Sequence, residues 1–197
     1  VRVAELVYRA VDPSTEFRVY ISDGMTIKKG DVIFEVMGKS ISILSAERLA
    51  LNFMQRMSGI ATTTKRYVDL ISGTKTKLLD TRKTTPLMRL LEKEAVKLGG
   101  GTNHRMGLYD MIMIKDNHVD FAGGIVKAID ACHSYLKKNN KNLKIVIEIR
   151  DFKELQIVID HGGVDRVLLD NFSPDEIREA LHMIKGKFET EASGGIT

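Results

Sequence analysis

Two short apolar runs in the middle of the chain each end in polar and cationic side chains. Leu78-Leu79-Asp80 leads into Thr81-Arg82-Lys83-Thr84, and Met111-Ile112-Met113-Ile114 leads into Lys115-Asp116-Asn117-His118. Between them a helical pattern runs into Gly99-Gly100-Gly101 and then His104-Arg105. From position 72 to 118 nine Lys/Arg stand against five Asp/Glu, a net of +4 that equals the formal net charge of the whole chain. The remaining residues therefore sum to zero. A basic excess confined to strand ends and loops suits a pocket for a polyanionic small molecule; a solvated face would spread the charge along a helix surface.

Each residue type has its own task in such a pocket. Arginine's planar fork pairs bidentately with carboxylates, and lysine supplies a point charge for phosphates. Further along, Glu148, Asp170-Asn171 and Ser193-Gly194-Gly195 also fall at the ends of apolar runs. Two carboxylates among Arg82, Lys83, Arg105 and Lys115 would merely neutralise them unless they did something distinct. Holding sugar hydroxyls or Mg²⁺ and stabilising a cationic sugar is such a task. A Ser-Gly-Gly turn offers backbone N–H groups to a phosphate. Taken singly, each element has a plain structural explanation: Arg82 could cap a carbonyl, the glycines could stop a helix, and Glu148 could pair with Arg150 or Arg82. Six on successive strand ends resist that explanation together.

The elements that must position these residues follow from the texture of the chain. After Ser72-Gly73 strand and helix patterns alternate, with strands ending near Asp80, Ile114, Ile149, Leu169 and Glu191 and helices over 86–98, 124–137, 152–161 and 174–185. Pro86 and Pro174 lie in first turns, where proline is tolerated. Repeated βα units imply a parallel sheet wrapped by helices. The expectation is an α/β barrel over 72–197 lacking its last strands, whose reactive residues gather at the carboxyl ends of the strands. His104 and Arg105 come from the loop before the second strand, so reaching that end requires an irregular excursion. Upstream, residues 3–11 form a short helix or strand, and period-two alternation over 17–44 reads as a small antiparallel β region. Ser45 can cap a long helix with Leu49, Phe53, Met57, Ile60, Thr64, Val68 and Ile71 as its buried stripe, and Arg48 off that stripe. Residues 1–71 thus read as a partial N-terminal α/β sandwich with a long linking helix. The β region also has the turn rhythm of a biotinyl or lipoyl carrier, which would make Lys39 a modification site; a solvated hairpin lysine is the simpler reading.

At 197 residues, 43% hydrophobic and 28% charged, the chain suits a globular protein with a real core. No apolar run reaches the ~18 residues that span a bilayer. One cysteine, Cys132, with helical neighbours, fits a bystander thiol in a reducing cytoplasm. Seven Phe, five Tyr and no Trp, without a basic cluster interleaved with aromatics, argue against nucleic acid. The valine start and Gly-Gly-Ile-Thr finish suggest that one or both natural ends lie beyond the sequence.

Several stretches together resemble the quinolinate phosphoribosyltransferase family. They are Ser45-Ala46-Glu47-Arg48-x-x-Leu51-Asn52, Ser58-Gly59-Ile60-Ala61-Thr62, Asp80-Thr81-Arg82-Lys83-Thr84, Gly99-Gly100-Gly101-Thr102-Asn103-His104-Arg105, Ile114-Lys115-Asp116-Asn117-His118, Leu169-Asp170-Asn171-Phe172 and Glu191-Ala192-Ser193-Gly194-Gly195. The resemblance runs from about Val3 to the last residue. It implies a sandwich domain joined to an α/β barrel, a homodimer, and condensation of quinolinate with phosphoribosyl pyrophosphate. The products would be nicotinate mononucleotide, pyrophosphate and CO₂, with Mg²⁺ bound through the substrate pyrophosphate near Glu148 and Asp170. Carried over, Arg82, His104, Arg105 and Lys115 would hold the two carboxylates of quinolinate, with Thr81 beside them and Arg48 reaching in from the partner subunit. Lys83 would face carboxylate or phosphate, Glu148 and Asp170 the ribose, and Ser193, Gly194 and Gly195 a phosphate. Lys83, Glu148 and Asp170 are the catalytic candidates. A paralogue using nicotinate, or one associated with molybdenum transport, is the nearer alternative, and a carrier module the other.

Overall fold

The computed structural model describes residues 1–196. Packing divides the chain into two compact units, Val1–His104 and the residues from Arg105 on.

In the first unit α1 (Arg2–Val11) packs along α2 (Ser40–Leu70), and β1 (Glu16–Val19) pairs antiparallel with β2 (Phe34–Met37), Phe17 opposite Val36. The two-residue period sends Phe17, Phe34 and Val36 to one face of this hairpin, where they meet Ala4, Tyr8, Ala46 and Ala50 of the helices. Phe17 and Phe34 stack with centroids 4.5 Å apart, and Tyr8 tilts against Phe17 at 6.0 Å. Aromatic pairs at such spacings add roughly 0.5–1.5 kcal/mol beyond area burial.

The long helix starts earlier than its sequence suggests. Ile41 and Ile43, expected to continue the β alternation, are already helical, and Lys39 is the last extended residue before the first turn rather than a hairpin tip. Ser45 does not cap; its hydroxyl donates to the Ile41 carbonyl one turn back at 2.7 Å. Of the expected stripe Thr64 is buried while Leu49 is 51% exposed. Ala46 and Ala50 face α1 instead, because small side chains let two helix backbones approach.

Helix α3 (Arg89–Leu98) lies against α2. A Cβ at Gly99 would sit 2.4 Å from the Ala61 carbonyl oxygen and 2.7 Å from Thr64 Cβ, so the close approach at the end of α3 requires glycine. Pro86 stands outside this helix. Residues 85–88 form a turn closed by the Met88 N–H to the Thr85 carbonyl at 3.0 Å, with Leu87 at a left-handed φ of 65°. The strand expected to end at Asp80 is a single parallel bridge, Leu79 to Thr102. Packing thus groups residues 72–104 with α2.

In the second unit β3 (Ile112–Ile114), β4 (Ile145–Ile149), β5 (Arg166–Asp170) and β6 (Glu189–Ser193) form a parallel sheet in sequence order. Helices α4 (Asp116–Ala122), α5 (Ile125–Lys138), α6 (Phe152–His161) and α7 (Pro174–Ile184) connect the strands. Ile145, Ile147, Ile149, Val167 and Leu169 pack with Ile129, Leu155, Val158, Ala180 and Ile184. Each Ile, Leu and Val among them contributes roughly 1.5–3 kcal/mol by leaving water. The other face carries Val146, Glu148, Arg166, Leu168, Asp170, Glu191 and Ser193 in register. Caps start the helices just past the strands: Asp151 accepts from the Glu154 N–H at 2.9 Å, and Ser173 and Glu176 form a capping box with Pro174 in the first turn. The last strand runs to Ser193, two residues beyond its expected end at Glu191. The architecture is therefore α/β: a small antiparallel sheet with helices, then successive parallel βα units of the barrel type.

Candidate active site

In the first unit the organising residue is Asp80. Its side chain forms an ion pair with Lys93 in which the lysine side chain is 1% and the aspartate 7% exposed. The same carboxylate accepts the His104 N–H at 2.8 Å, while Lys93 Nζ donates to the His104 carbonyl at 3.3 Å. With its amide oriented to satisfy its neighbours, Asn103 donates to Asp80 Oδ2 at 2.8 Å and to the Lys93 carbonyl at 2.9 Å. Backbone bonds complete the tie: Asp80 N–H to Thr102 carbonyl at 3.2 Å and Thr102 N–H to Leu78 carbonyl at 2.8 Å. The loop that follows Asp80 and the loop that carries His104 are thereby fixed to one another.

From that anchor the chain presents its cations. The Lys83 N–H donates to Thr81 Oγ1 at 3.0 Å, closing a tight turn, and the Lys83 ammonium has no partner among the described residues. Arg82 is half-buried, and its Nε is buried with no hydrogen-bond partner. Beside them Arg56 of α2 donates to Glu92 at 2.6 Å and to Thr85 at 2.8 Å, while the Thr85 N–H reaches Glu92 at 3.2 Å. Desolvation is the largest influence on the Glu92 carboxyl and raises its pKa. The hydrogen bonds from Arg56 and Thr85 outweigh it and hold the group below its usual range. Thr81, Lys83 and Thr84, with Asp80, Glu92, Lys93 and Arg56, line a groove of about 200 Å³. Arg48 is apart from this set. It is exposed, pairs with nothing among the described residues, and precedes Arg56 on α2 by two helical turns, about 12 Å.

The second unit opens with Arg105, which is buried and directs Nη1 to the Met111 carbonyl at 3.4 Å and Nη2 to Met113 Sδ at 3.3 Å. Asp110 closes the intervening loop by accepting from the N–H groups of Met106 at 2.6 Å and Gly107 at 2.9 Å. At the carboxyl ends of the strands, Lys115 Nζ lies 3.3 Å from Glu148 Oε2. One strand further, Ser193 Oγ donates to Asp170 Oδ1 at 2.6 Å and Asn171 Nδ2 to Asp170 Oδ2 at 2.8 Å. Gly194 and Gly195 follow with φ of 82° and 62°. His118 instead accepts the Lys115 N–H through Nδ1 at 3.0 Å, which starts α4.

Within each unit, then, the sequence candidates converge: Thr81, Arg82, Lys83 and His104 around Asp80, and Lys115 with Glu148 and Asp170 with Ser193 along one sheet edge. Asp80, Lys93, Asn103, Arg56, Glu92 and Asn171 had no assigned role from the sequence. Asp80 and Asn103 stand beside candidates, which is a signal. Glu92-Lys93-Glu94 looks like an ordinary solvated helix face, and nothing local marks Lys93 as buried. No group of three or more His, Cys, Asp or Glu able to hold a metal exists among the described residues. Glu148 and Asp170 each offer a single carboxylate, a donor set that suits a Mg²⁺ held chiefly by substrate phosphates and water.

Parallel βα units with charged side chains gathered at the carboxyl ends of their strands define an α/β-barrel type of site. Residues 2–58 match the family model for the N-terminal domain of quinolinate phosphoribosyl transferase, and residues 60–197 that for its C-terminal domain. The chain belongs to this family. It is 44% identical over 211 residues to quinolinate phosphoribosyltransferase [decarboxylating] 1 of Nicotiana glauca, covering 100% of this chain and 60% of that protein. It is 42% identical to the probable nicotinate-nucleotide pyrophosphorylase [carboxylating] of Bacillus subtilis, covering 96% of this chain and 64% of that one. Among solved structures, NadC from Streptococcus pyogenes superposes with a TM-score of 0.93 at 38% identity, over 100% of this chain and 68% of its own. The nicotinate-nucleotide pyrophosphorylase from Francisella tularensis gives 0.91 at 43%, over 98% and 67%. The chain thus spans about three fifths of the Nicotiana protein.

Proposed function

We propose that the protein transfers the phosphoribosyl group of phosphoribosyl pyrophosphate to quinolinate with decarboxylation, yielding nicotinate mononucleotide, pyrophosphate and CO₂ for NAD biosynthesis. Family membership supports this reading, and one observation carries it. Arg82 and Lys83 are held on a braced loop where neither makes an ion pair with an acidic side chain among the described residues and Arg82 Nε has no hydrogen-bond partner, the arrangement expected of a receptor for an anionic ligand.

In this reading Arg82, His104, Arg105 and Lys115 receive the two carboxylates of quinolinate, with Thr81 beside them, and Lys83 faces a carboxylate or phosphate. Glu148 and Asp170 face the ribose. As the bond from C1 of the ribose to pyrophosphate breaks, positive charge develops on the sugar and these carboxylates stabilise it. The ring nitrogen bonds to C1 and becomes a pyridinium. That positive ring absorbs the electron pair released when the adjacent carboxylate leaves as CO₂, and a proton then takes its place. No protein nucleophile is required; the cations orient two polyanions and relieve their repulsion. The Ser193-Gly194-Gly195 turn offers its N–H groups to phosphate. Glu148 and Asp170 would flank a Mg²⁺ bound mainly through the substrate diphosphate, and that ion would supply charge neutralisation for the pyrophosphate. We further propose a cytoplasmic homodimer in which Arg48 completes the partner's site, with neither nucleic acid nor membrane as partner. Among the described residues no helix is long and apolar enough to cross a membrane.

The test is CO₂ release from the 2-carboxylate of quinolinate, measured with and without Mg²⁺ and phosphoribosyl pyrophosphate and compared with turnover of nicotinate. Equal or faster use of nicotinate would overturn the assignment in favour of a paralogous activity.

A further inference from the structure

The buried Asp80–Lys93 pair has no task in the chemistry above, yet its lysine side chain is 1% and its aspartate 7% exposed. A lysine so buried has lost nearly all its hydration, a cost that its attraction to a carboxylate repays only when geometry and further hydrogen bonds are good. Here they are. Asp80 accepts from Lys93, the His104 N–H and Asn103, and Lys93 also donates to the His104 carbonyl. The His104 and Asn103 bonds run directly from the 102–104 loop to Asp80, and Lys93 of α3 bridges Asp80 to that loop. An apolar pair of similar volume would fill the space, but it could not fix the backbone of His104 from both sides.

We infer that Lys93 and Asp80 are positioning residues for dicarboxylate recognition: the pair, spent on one another at the floor of the groove, acts by setting the backbone at His104 and at Thr81-Arg82-Lys83. The inference rests on the proposed quinolinate specificity. The carboxylates that face the ribose, Glu148 and Asp170, lie in the other unit and do not depend on this pair. Loss of the pair should therefore weaken quinolinate far more than phosphoribosyl pyrophosphate, which can lose at most the Lys83 contact, a separation that general destabilisation would not produce.

The experiment compares wild type, Lys93→Met and the charge-neutral double variant Asp80→Asn/Lys93→Met. Calorimetry would measure quinolinate binding and, separately, binding of phosphoribosyl pyrophosphate with Mg²⁺. Backbone amide exchange would be followed at Asp80, Thr102 and His104. Lys93→Met strands a buried carboxylate and can unfold; the double variant removes both charges and keeps the test open. The expected result for the folded double variant is a quinolinate Kd raised roughly 10- to 100-fold, the penalty of misplacing binding groups by about an ångström. Phosphoribosyl pyrophosphate affinity should fall by no more than a small fraction of that change, with faster exchange at the three amides. Wild-type quinolinate affinity in the double variant, equal loss of both ligands, or failure of that variant to fold would each overturn the positioning role. If the wild-type chain binds neither ligand, the proposed function falls. The exchange measurement then still decides whether the pair orders the two loops, since unchanged exchange would refute it and faster exchange would uphold it.

Discussion

Gly194 is the residue whose replacement has the most readable consequence. Its φ is +82°, and a Cβ built there lies 2.0 Å from Asn171 Oδ1, 2.6 Å from Asn171 Cγ and 3.1 Å from the Asn171 backbone nitrogen. Alanine in the left-handed region costs about 1–2 kcal/mol. The Asn171 side chain must also swing away, which gives up its 2.8 Å hydrogen bond to Asp170, worth about 1 kcal/mol. Gly194→Ala should therefore destabilise the fold by about 2–3 kcal/mol, or lower Tm by roughly 5–10 °C for a chain of this size. Thermal and urea unfolding followed by circular dichroism would measure it. Adding Asn171→Gly removes the obstructing side chain at a residue already left-handed, with φ 56°. In that Asn171→Gly background, where the hydrogen bond to Asp170 is already gone, Gly194→Ala should cost only the backbone strain, less than it costs in the wild type. Wild-type Tm in Gly194→Ala, or the same cost in both backgrounds, would refute the reasoning, because the loop would then be relaxing without engaging Asn171.

Glu148→Gln and Asp170→Asn should lower kcat and kcat/KM together by about 10²–10³ while quinolinate Kd changes little, since each carboxylate is assigned to charge that develops in the transition state. A large rise in quinolinate Kd with kcat intact would instead make them structural partners of Lys115 and Ser193. Arg48→Ala and Lys115→Ala should each be inactive, yet mixing them under subunit exchange should restore roughly a quarter of wild-type activity if a two-fold dimer shares its sites; no recovery would assign Arg48 to its own chain. Glu92 has a folded pKa below its ordinary value of about 4.3, so its bonds to Arg56 and Thr85 stabilise the protein above that pH and are lost as pH falls through the folded value. The stability deficit of Glu92→Gln should accordingly be full at pH 7 and shrink below pH ~4; a deficit independent of pH would exclude this linkage.

The legible parts of the fold were those where local signals agree. Ile145–Ile149 and Arg166–Asp170 are apolar runs ended by Asp151 and Ser173, residues that cap the following helices. Where one signal stood alone it misled. Ser45 resembles a helix cap, but Lys39 and Ser40 already start α2, and the two-residue spacing of Ile41 and Ile43 reads as strand although both are helical, Ile41 exposed and Ile43 packed on the core. Pro86 suits a first turn, but Leu87 turns left-handed and delays α3 to Arg89. The candidate cations were visible as a local excess of charge. Lys93 was not, because its burial depends on Asp80 thirteen positions away and on the 102–104 loop. Long-range pairing of charges leaves no periodicity to read.

The sheet of the second unit has its own implication for how this protein acquires its structure. Because β3, β4, β5 and β6 neighbour one another in the order in which they occur, every strand pairing there closes over a short local connection, two helices between β3 and β4 and one helix in each of the others. Such spans carry a modest entropic cost that grows only slowly with length. Assembly can begin wherever apolar contact is densest, at β4 and β5, where Ile147 pairs with Val167 and Ile149 with Leu169, and spread outward one βα unit at a time. The polar strand β6, with Glu189, Thr190, Glu191 and Ser193, has little apolar surface to dock by itself. It should be ordered last in folding and open first, so that the Ser193-Gly194 turn forms only once Asp170 is already in place to receive it.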